Sequence, residues 1–125
     1  MNPKQFLTIG GAVLVLVAVL GYVGIIGPTP EKSLFGATWY FDNGENVAHL
    51  VLGVVALGAA FLLDAGMQKM LTMLVALLAL FFGLYGFIAG AGPMNTFGVA
   101  NLENPLDNVL HLAIAAWAGW ASMKK

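Results

Sequence analysis

The sequence predicts an all-α integral membrane protein of four transmembrane helices, and its composition and its uncharged runs support this. Of the 125 residues, 60% are hydrophobic and only 9% are charged, whereas soluble domains carry about 25% charged residues. Several uncharged runs reach the roughly 20 apolar residues that one bilayer crossing needs. The net charge of −1 leaves no basic face for nucleic acid. Composition therefore argues against a soluble enzyme, a nucleic-acid-binding protein and a disordered chain.

Four apolar segments form a single predicted transmembrane domain over residues 1–125. The predicted helices cover residues 6–27, 43–63, 70–90 and 105–123. The first run is longer than the apolar core of about 7–15 residues in a signal peptide, so we interpret it as a retained helix. Residues 91–102 are rich in Gly, Pro and Asn and are predicted to form a loop. The short link around residues 64–69 predicts that the second and third helices form a tight antiparallel pair.

The positions of the lysines predict the orientation in the membrane. Four lysines fall at the termini and in the middle link, namely Lys4, Lys69, Lys124 and Lys125, whereas Lys32 falls in the first long connection. Because lysine-rich segments stay in the cytoplasm, both termini are predicted to be cytoplasmic. The protein is thus expected to be a multi-pass protein of the cell (plasma) membrane. Its expected partners are the lipid bilayer and further copies of itself or a larger membrane complex, with no nucleic acid.

The chain also contains an internal repeat. Residues 42–50 align without a gap on residues 104–112, and both segments carry Asn and His at matching positions. The repeats are predicted to cover about 1–64 and 65–125. Each would form a helical hairpin of the same orientation, related to the other by a pseudo-two-fold axis along the membrane normal.

The second helix of each repeat is preceded by a helix-capping pattern. Asp42 and Glu45 are three residues apart, as are Asn104 and Asp107. This is the spacing of a capping box, in which two side chains bind the free N–H groups of the first turn. We therefore predict Asp42 and Asn104 as helix caps, with both carboxylates also favoured by the helix dipole.

The two histidines of the chain mark the candidate site. Each is predicted about 10 Å beyond its helix cap, at 1.5 Å per residue. An ionisable group at this depth is costly in a bilayer and is a functional hypothesis by default. A carboxylate four residues before each histidine and an asparagine three before share its helix face. The predicted polar cluster is therefore His49, His111, Glu45, Asp107, Asn46 and Asn108.

Three interpretations of this cluster are open from the sequence. The polar side chains could hydrogen-bond between helices and fix how the hairpins pack. The paired imidazoles could bind a metal ion or a haem-like tetrapyrrole. The acid–histidine pairs could relay protons or guide a cation, but no other ionisable group lies deep in a predicted helix. The sequence offers no catalytic constellation, since neither of its two serines, Ser33 and Ser122, is predicted near a histidine.

Small residues follow the polar positions along the predicted helices. Residues of this size let transmembrane helices approach closely, and they could equally make room for a flat cofactor. The positions predicted for close packing are Gly53, Gly86, Gly90, Ala115 and Gly119.

The motifs Asn46-x-x-His49-Leu50-x-x-Gly53 and Asp107-Asn108-x-x-His111-Leu112 resemble a known family. It is the bacterial four-helix membrane protein family catalogued only as a domain of unknown function, number forty-three eighty-three. The resemblance covers nearly the whole chain, although Ala115 stands where that family usually has glycine. It implies the four-crossing fold and no established activity. We therefore expect a non-enzymatic structural or accessory subunit of a membrane complex.

Overall fold

The structure is a computed structural model that describes residues 1–90, 103 and 106–124 of the chain. Its long helices are α1 (Pro3–Tyr22), α2 (Asn43–Leu62), α3 (Ala65–Ala89) and α4 (Leu106–Ser122). Two short 3₁₀ turns, Pro30–Lys32 and Gly36–Thr38, lie between α1 and α2. The described residues contain no strand, and α1, α2 and α3 are long and apolar enough to cross a membrane. The prediction of an all-helical protein is confirmed for the described residues, and three of the four predicted crossings have a helix long and apolar enough to span a membrane.

The first helix is displaced from the predicted 6–27 at both ends. It begins earlier because Asn2 Oδ1 accepts a hydrogen bond from the Gln5 N–H at 2.8 Å, and Gln5 Oε1 accepts one from the Asn2 N–H at 3.0 Å. This capping box starts α1 at Pro3. The helix ends at Tyr22 because Gly24 has φ of 88°, a left-handed conformation that stops the helix.

The third helix begins at Ala65, five residues before the predicted start. Asp64 Oδ1 caps it by accepting a hydrogen bond from the Met67 N–H at 2.9 Å. The buried Gln68 side chain then reaches back to the end of α2. Its Nε2 donates to the carbonyl oxygens of Ala59, Ala60 and Leu63 at 3.3, 3.0 and 3.1 Å. Gln68 thus adds hydrogen bonds to the carbonyl groups at the end of α2, where backbone partners run out, although the Ala59 carbonyl also accepts from the Leu63 N–H at 3.2 Å.

The helices pack mainly as the pairs α1–α2 and α3–α4, with lighter contact of α1 on α3 and α4. The predicted tight pairing of α2 with α3 is wrong, because these helices make few contacts although only two residues join them. A short link constrains helix ends, whereas packing along the length depends on matching faces. At the α1–α2 crossing, a Cβ on Gly11 would lie 2.9 Å from the carbonyl oxygen of Gly53.

An apolar core joins the four helices at the end of the bundle that carries the chain termini. Its buried members are Phe6, Leu7, Ala59, Ala60, Ala118 and Ala121. The ring of Phe6 meets Trp117 edge-on at 4.6 Å, and the indole N–H of Trp117 donates to Met1 Sδ at 3.1 Å. The polar side chains of the candidate site lie towards the opposite end, where α2 and α4 begin.

Candidate functional site

Three buried carboxyl groups meet where α2 and α4 begin. One oxygen atom from each of Glu45, Glu103 and Asp107 lies within 4.8 Å of the other two. Glu45 and Asp107 stand in the first turns of α2 and α4, and Glu103 precedes α4. The three residues are 5%, 8% and 2% exposed. We call this group the carboxyl cluster.

Hydrogen bonds tie the connector between α1 and α2, residues 23–41, to this cluster. The indole N–H of Trp39 donates to Asp107 Oδ1 at 3.0 Å, and the Tyr40 N–H donates to Glu103 Oε1 at 3.4 Å. The Glu103 N–H donates to Asp107 Oδ2 at 2.9 Å. The cluster therefore joins parts of the chain that are more than 60 residues apart in sequence.

The carboxyl group of Glu103 has a raised pKa. Burial raises the pKa of Glu103 from its ordinary value of 4.5 to about 8, and the charge of the neighbouring Asp107 acts in the same direction, whereas the hydrogen bond from the Tyr40 N–H lowers it. A carboxyl group with this pKa holds a proton at neutral pH.

The predicted cap of α2 is present as a complete capping box. Asp42 Oδ1 accepts from the Glu45 N–H at 2.9 Å, and Glu45 Oε1 accepts from the Asp42 N–H at 3.3 Å. The corresponding predicted cap of α4, Asn104, lies outside the described residues. The Glu103 carbonyl accepts a hydrogen bond from the Asp107 N–H at 2.9 Å, the relation that an N-cap residue has with the fourth residue after it.

The two asparagines of the predicted cluster are fully buried, each against a glycine of the neighbouring helix. Asn46 faces Gly21 of α1, and Asn108 faces Gly86 of α3, so closely that a Cβ on either glycine would overlap the amide oxygen. The Asn46 Nδ2 group also donates to the carbonyl oxygen of Phe41 at 3.3 Å. Both helix pairs therefore use one Asn–Gly contact at a corresponding position.

The two histidines are half-buried and each packs on an aromatic ring. His49 lies 5.4 Å from the ring centre of Phe41, and His111 lies 6.0 Å from that of Phe82. The buried Nδ1 atoms of both histidines have no hydrogen-bond partner among the described residues.

The predicted polar cluster thus divides into three parts: two carboxyl groups, two asparagines against glycines, and two histidines. In the part of the chain that the structure describes, no histidine joins the carboxyl cluster within 4.8 Å. The structure adds Glu103, which the sequence analysis did not single out. In the ungapped repeat alignment Glu103 stands opposite Phe41, so the repeat gives it no polar counterpart. Its four-residue spacing from Asp107 is the signal that could have identified it.

The glycines predicted for close packing have different roles. A Cβ on Gly53 would lie 2.9 Å from the carbonyl oxygen of Gly11 and 2.7 Å from Val15 Cγ2, so the α1–α2 crossing needs glycine there. Gly86 lies against Asn108, as described above. Gly90 instead ends α3, with φ of 74°. At Gly119 no described atom lies within 4 Å of the Cβ position, and Ala115 is half-buried.

Over the described residues, the fold and the site define an all-helical protein with three helices long and apolar enough to cross a membrane and with a buried polar end. In comparisons with known proteins, no family model, curated protein or solved structure matches this chain. The function is therefore argued from the site itself.

Proposed function

We propose that this protein is a small, non-enzymatic four-helix membrane protein that acts as a structural or accessory subunit of a membrane complex. One observation supports this most: its buried polar side chains bind separate parts of the chain to each other. Asp107 binds Trp39 of the connector, and Gln68 binds the end of α2. Such internal hydrogen bonds fix one arrangement of helices in an apolar environment.

The outer sides of α2 and α3 supply the surface for lipid and for a partner subunit. Large apolar side chains are exposed along both helices, and Leu62 and Ile88 are each 84% exposed. Apolar side chains of this kind suit the hydrocarbon region of a bilayer. Close packing with another membrane helix would cover part of the same surface.

Native mass spectrometry after extraction in a mild detergent tests the accessory role. We expect a species of fixed stoichiometry that contains either several copies of this chain or a second membrane subunit. A helical membrane protein of similar size, extracted at the same expression level, controls for association caused by detergent. A strictly monomeric chain without partners would contradict the proposal.

We also propose that α4 crosses the membrane, so that two hairpin repeats place both termini in the cytoplasm. The 17 residues of α4 span about 25 Å at 1.5 Å per residue, close to the bilayer core of about 30 Å. The corresponding Asn–Gly contacts in the two helix pairs support the repeat. The resemblance of the motifs to the four-helix family supports the same plan.

Single cysteines test this topology cleanly, because the chain has none of its own. We expect a membrane-impermeant maleimide to label Glu31→Cys in intact cells and to label Lys4→Cys, Lys69→Cys and Lys124→Cys only after permeabilisation. Permeabilised cells serve as the control that every site is reactive. Labelling of Lys4→Cys or Lys124→Cys in intact cells would contradict the cytoplasmic placement of the termini.

A metal ion or haem-like tetrapyrrole bound by the paired histidines is the second candidate function. The observation that favours it is the pair of buried Nδ1 atoms without a partner among the described residues, because a free imidazole nitrogen is a metal ligand. An absorption spectrum and an elemental analysis of the purified protein decide between the two. A Soret band or a stoichiometric metal that is lost in His49→Ala would support this candidate, and a colourless, metal-free protein would contradict it. Proton or cation transport, the third alternative, predicts uptake by the purified protein in liposomes.

A further inference from the structure

The connector between α1 and α2 carries two large apolar side chains on its outside. Leu34 is 80% exposed and Phe35 is 52% exposed, and both follow the exposed charged side chains of Glu31 and Lys32. We call residues 34 and 35 the apolar tip of the connector. A single exposed apolar residue needs no explanation, but this pair adjoins a longer apolar surface.

Hydrogen bonds hold the apolar tip in a closed loop. Ser33 Oγ donates to the carbonyl oxygen of Trp39 at 2.7 Å and accepts from the Phe35 N–H at 3.2 Å. Gly36, with φ of 60°, turns the chain directly after the tip, and the ring of Phe35 lies 5.6 Å from that of Trp39. The exposure of the tip is therefore a feature of a closed, hydrogen-bonded loop.

Backbone hydrogen bonds place this loop beside the last turn of α1. The N–H groups of Ile25 and Ile26 donate to the Leu20 carbonyl at 3.2 and 3.1 Å, so the chain folds back onto the end of the helix. The Leu34 N–H in turn donates to the Ile25 carbonyl at 2.9 Å. Because these bonds are joined through the single residue Ile25, the backbone nitrogen of Leu34 lies within about 10 Å of the Leu20 carbonyl oxygen.

The length of α1 places its end near the edge of the bilayer core. Its 20 residues extend about 30 Å at 1.5 Å per residue, which equals the thickness of the hydrocarbon core, about 30 Å. The headgroup region adds about 5–8 Å on each side. Because Leu34 is held so close to the last turn of α1, the apolar tip lies at the depth of the core edge and the headgroups.

The apolar tip also continues the exposed apolar surface of α1. Val19, Tyr22 and Val23 are exposed at the end of the helix, and Ile25, to which Leu34 is hydrogen-bonded, is exposed as well. The exposed apolar side of a membrane-spanning helix faces lipid. Lipid that covers the end of α1 therefore reaches the tip without a change of surface.

We propose that the apolar tip is an interfacial anchor, which inserts Leu34 and Phe35 into the boundary between the headgroups and the acyl chains of the membrane. Aromatic and large apolar side chains suit this boundary. The partner is the phospholipid surface itself, and the opposite charges of Glu31 and Lys32 beside the tip favour no particular headgroup charge. The anchor rests on the membrane placement within the proposed function and is independent of any partner subunit.

The fluorescence of a single NBD label on the full chain tests the anchor, because the chain has no cysteine of its own. Leu34→Cys is labelled with NBD and reconstituted in phosphatidylcholine vesicles, with and without bromine on the acyl chains. We expect the brominated lipid to remove most of the NBD fluorescence, and iodide on both sides of the vesicle membrane to remove little. The emission should also lie at a shorter wavelength than that of a label in water.

Two further labelled variants serve as matched controls. Glu31→Cys replaces an exposed residue of the same connector, and its label should be quenched by iodide and little by brominated lipid. Val54→Cys replaces an exposed residue in the middle of α2, and its label should be quenched by brominated lipid and little by iodide. All three substitutions are at exposed positions, so we expect the variants to fold.

Three results would overturn the anchor. A label at Leu34→Cys that responds like the label at Glu31→Cys would place the tip in water. A label at Leu34→Cys that is shielded from both quenchers would place the tip against a second copy of the chain. In both cases, quenching of Val54→Cys by brominated lipid leaves the membrane placement intact. Quenching of Val54→Cys by iodide instead would contradict the membrane placement, and the anchor with it.

Discussion

Alanine in place of Gly21 or Gly86 is expected to lower the free energy of unfolding by about 3 kcal/mol, the upper part of the range for overpacking a tight interior. A methyl group at either position would overlap the amide oxygen of Asn46 or Asn108. Both asparagines are fully buried, and Asn46 is also held by its hydrogen bond to Phe41. Neither amide therefore has free space to move into without disturbing its helix pair.

Unfolding by a denaturing detergent, followed by circular dichroism, measures this effect. Gly10→Ala in α1 is the matched control, because among the described residues no atom beyond its own stretch of helix lies within 4 Å of its Cβ position. There the helix propensity of alanine should stabilise the chain by about 0.5–1 kcal/mol. The double variant Gly21→Ala/Asn46→Ala should be more stable than the sum of its single effects predicts, because removal of the amide makes room for the methyl group. Equal effects of Gly21→Ala and Gly10→Ala would show that the Asn–Gly contact is not tight.

The three helices that are long and apolar enough to cross a membrane were predictable from the sequence, because they depend on run length and polarity. The ends of the helices were harder to predict. Helix α1 stops five residues before the predicted Gly27, because Gly24 adopts a left-handed conformation. A run of apolar residues carries no sign of that dihedral angle. The start of α3 depends on a side-chain cap from Asp64, and such a cap competes with apolarity in setting a helix boundary.

The candidate site was predicted in its residue types better than in its contacts. Helical spacing placed an acid beside each histidine on one face, but packing brought Glu45 and Asp107 together with Glu103 instead. That contact depends on how the connector and α4 meet, which local periodicity does not contain. Predicting the Asn–Gly contacts requires knowledge of which helices are neighbours. The sequence did not supply this knowledge, because the predicted tight α2–α3 pair was wrong.

Replacement of Asp107 by alanine is expected to lower the free energy of unfolding by about 2–5 kcal/mol near pH 6, since each buried donor left without an acceptor costs about 1–3 kcal/mol. Two donors lose their acceptor: the indole N–H of Trp39 and the N–H of Glu103. Asp107→Asn keeps one acceptor oxygen and should cost less. Asp64→Ala is the control, because Asp64 is exposed and accepts one capping hydrogen bond, worth about 1 kcal/mol.

The pH dependence of the Asp107→Ala effect separates lost hydrogen bonds from lost repulsion. In acid, where Glu103 holds its proton, the alanine variant loses two acceptors and gains nothing. Above the pKa of Glu103, about 8, it also removes one carboxylate from beside another, which offsets part of the loss. The destabilisation measured by detergent unfolding should therefore be largest near pH 6 and shrink as the pH rises past 8, while that of Asp64→Ala stays constant. Two results would show that the connector does not depend on the carboxyl cluster. One is a destabilisation by Asp107→Ala that is no larger than that by Asp64→Ala, and the other is a destabilisation by Asp107→Ala that grows with pH.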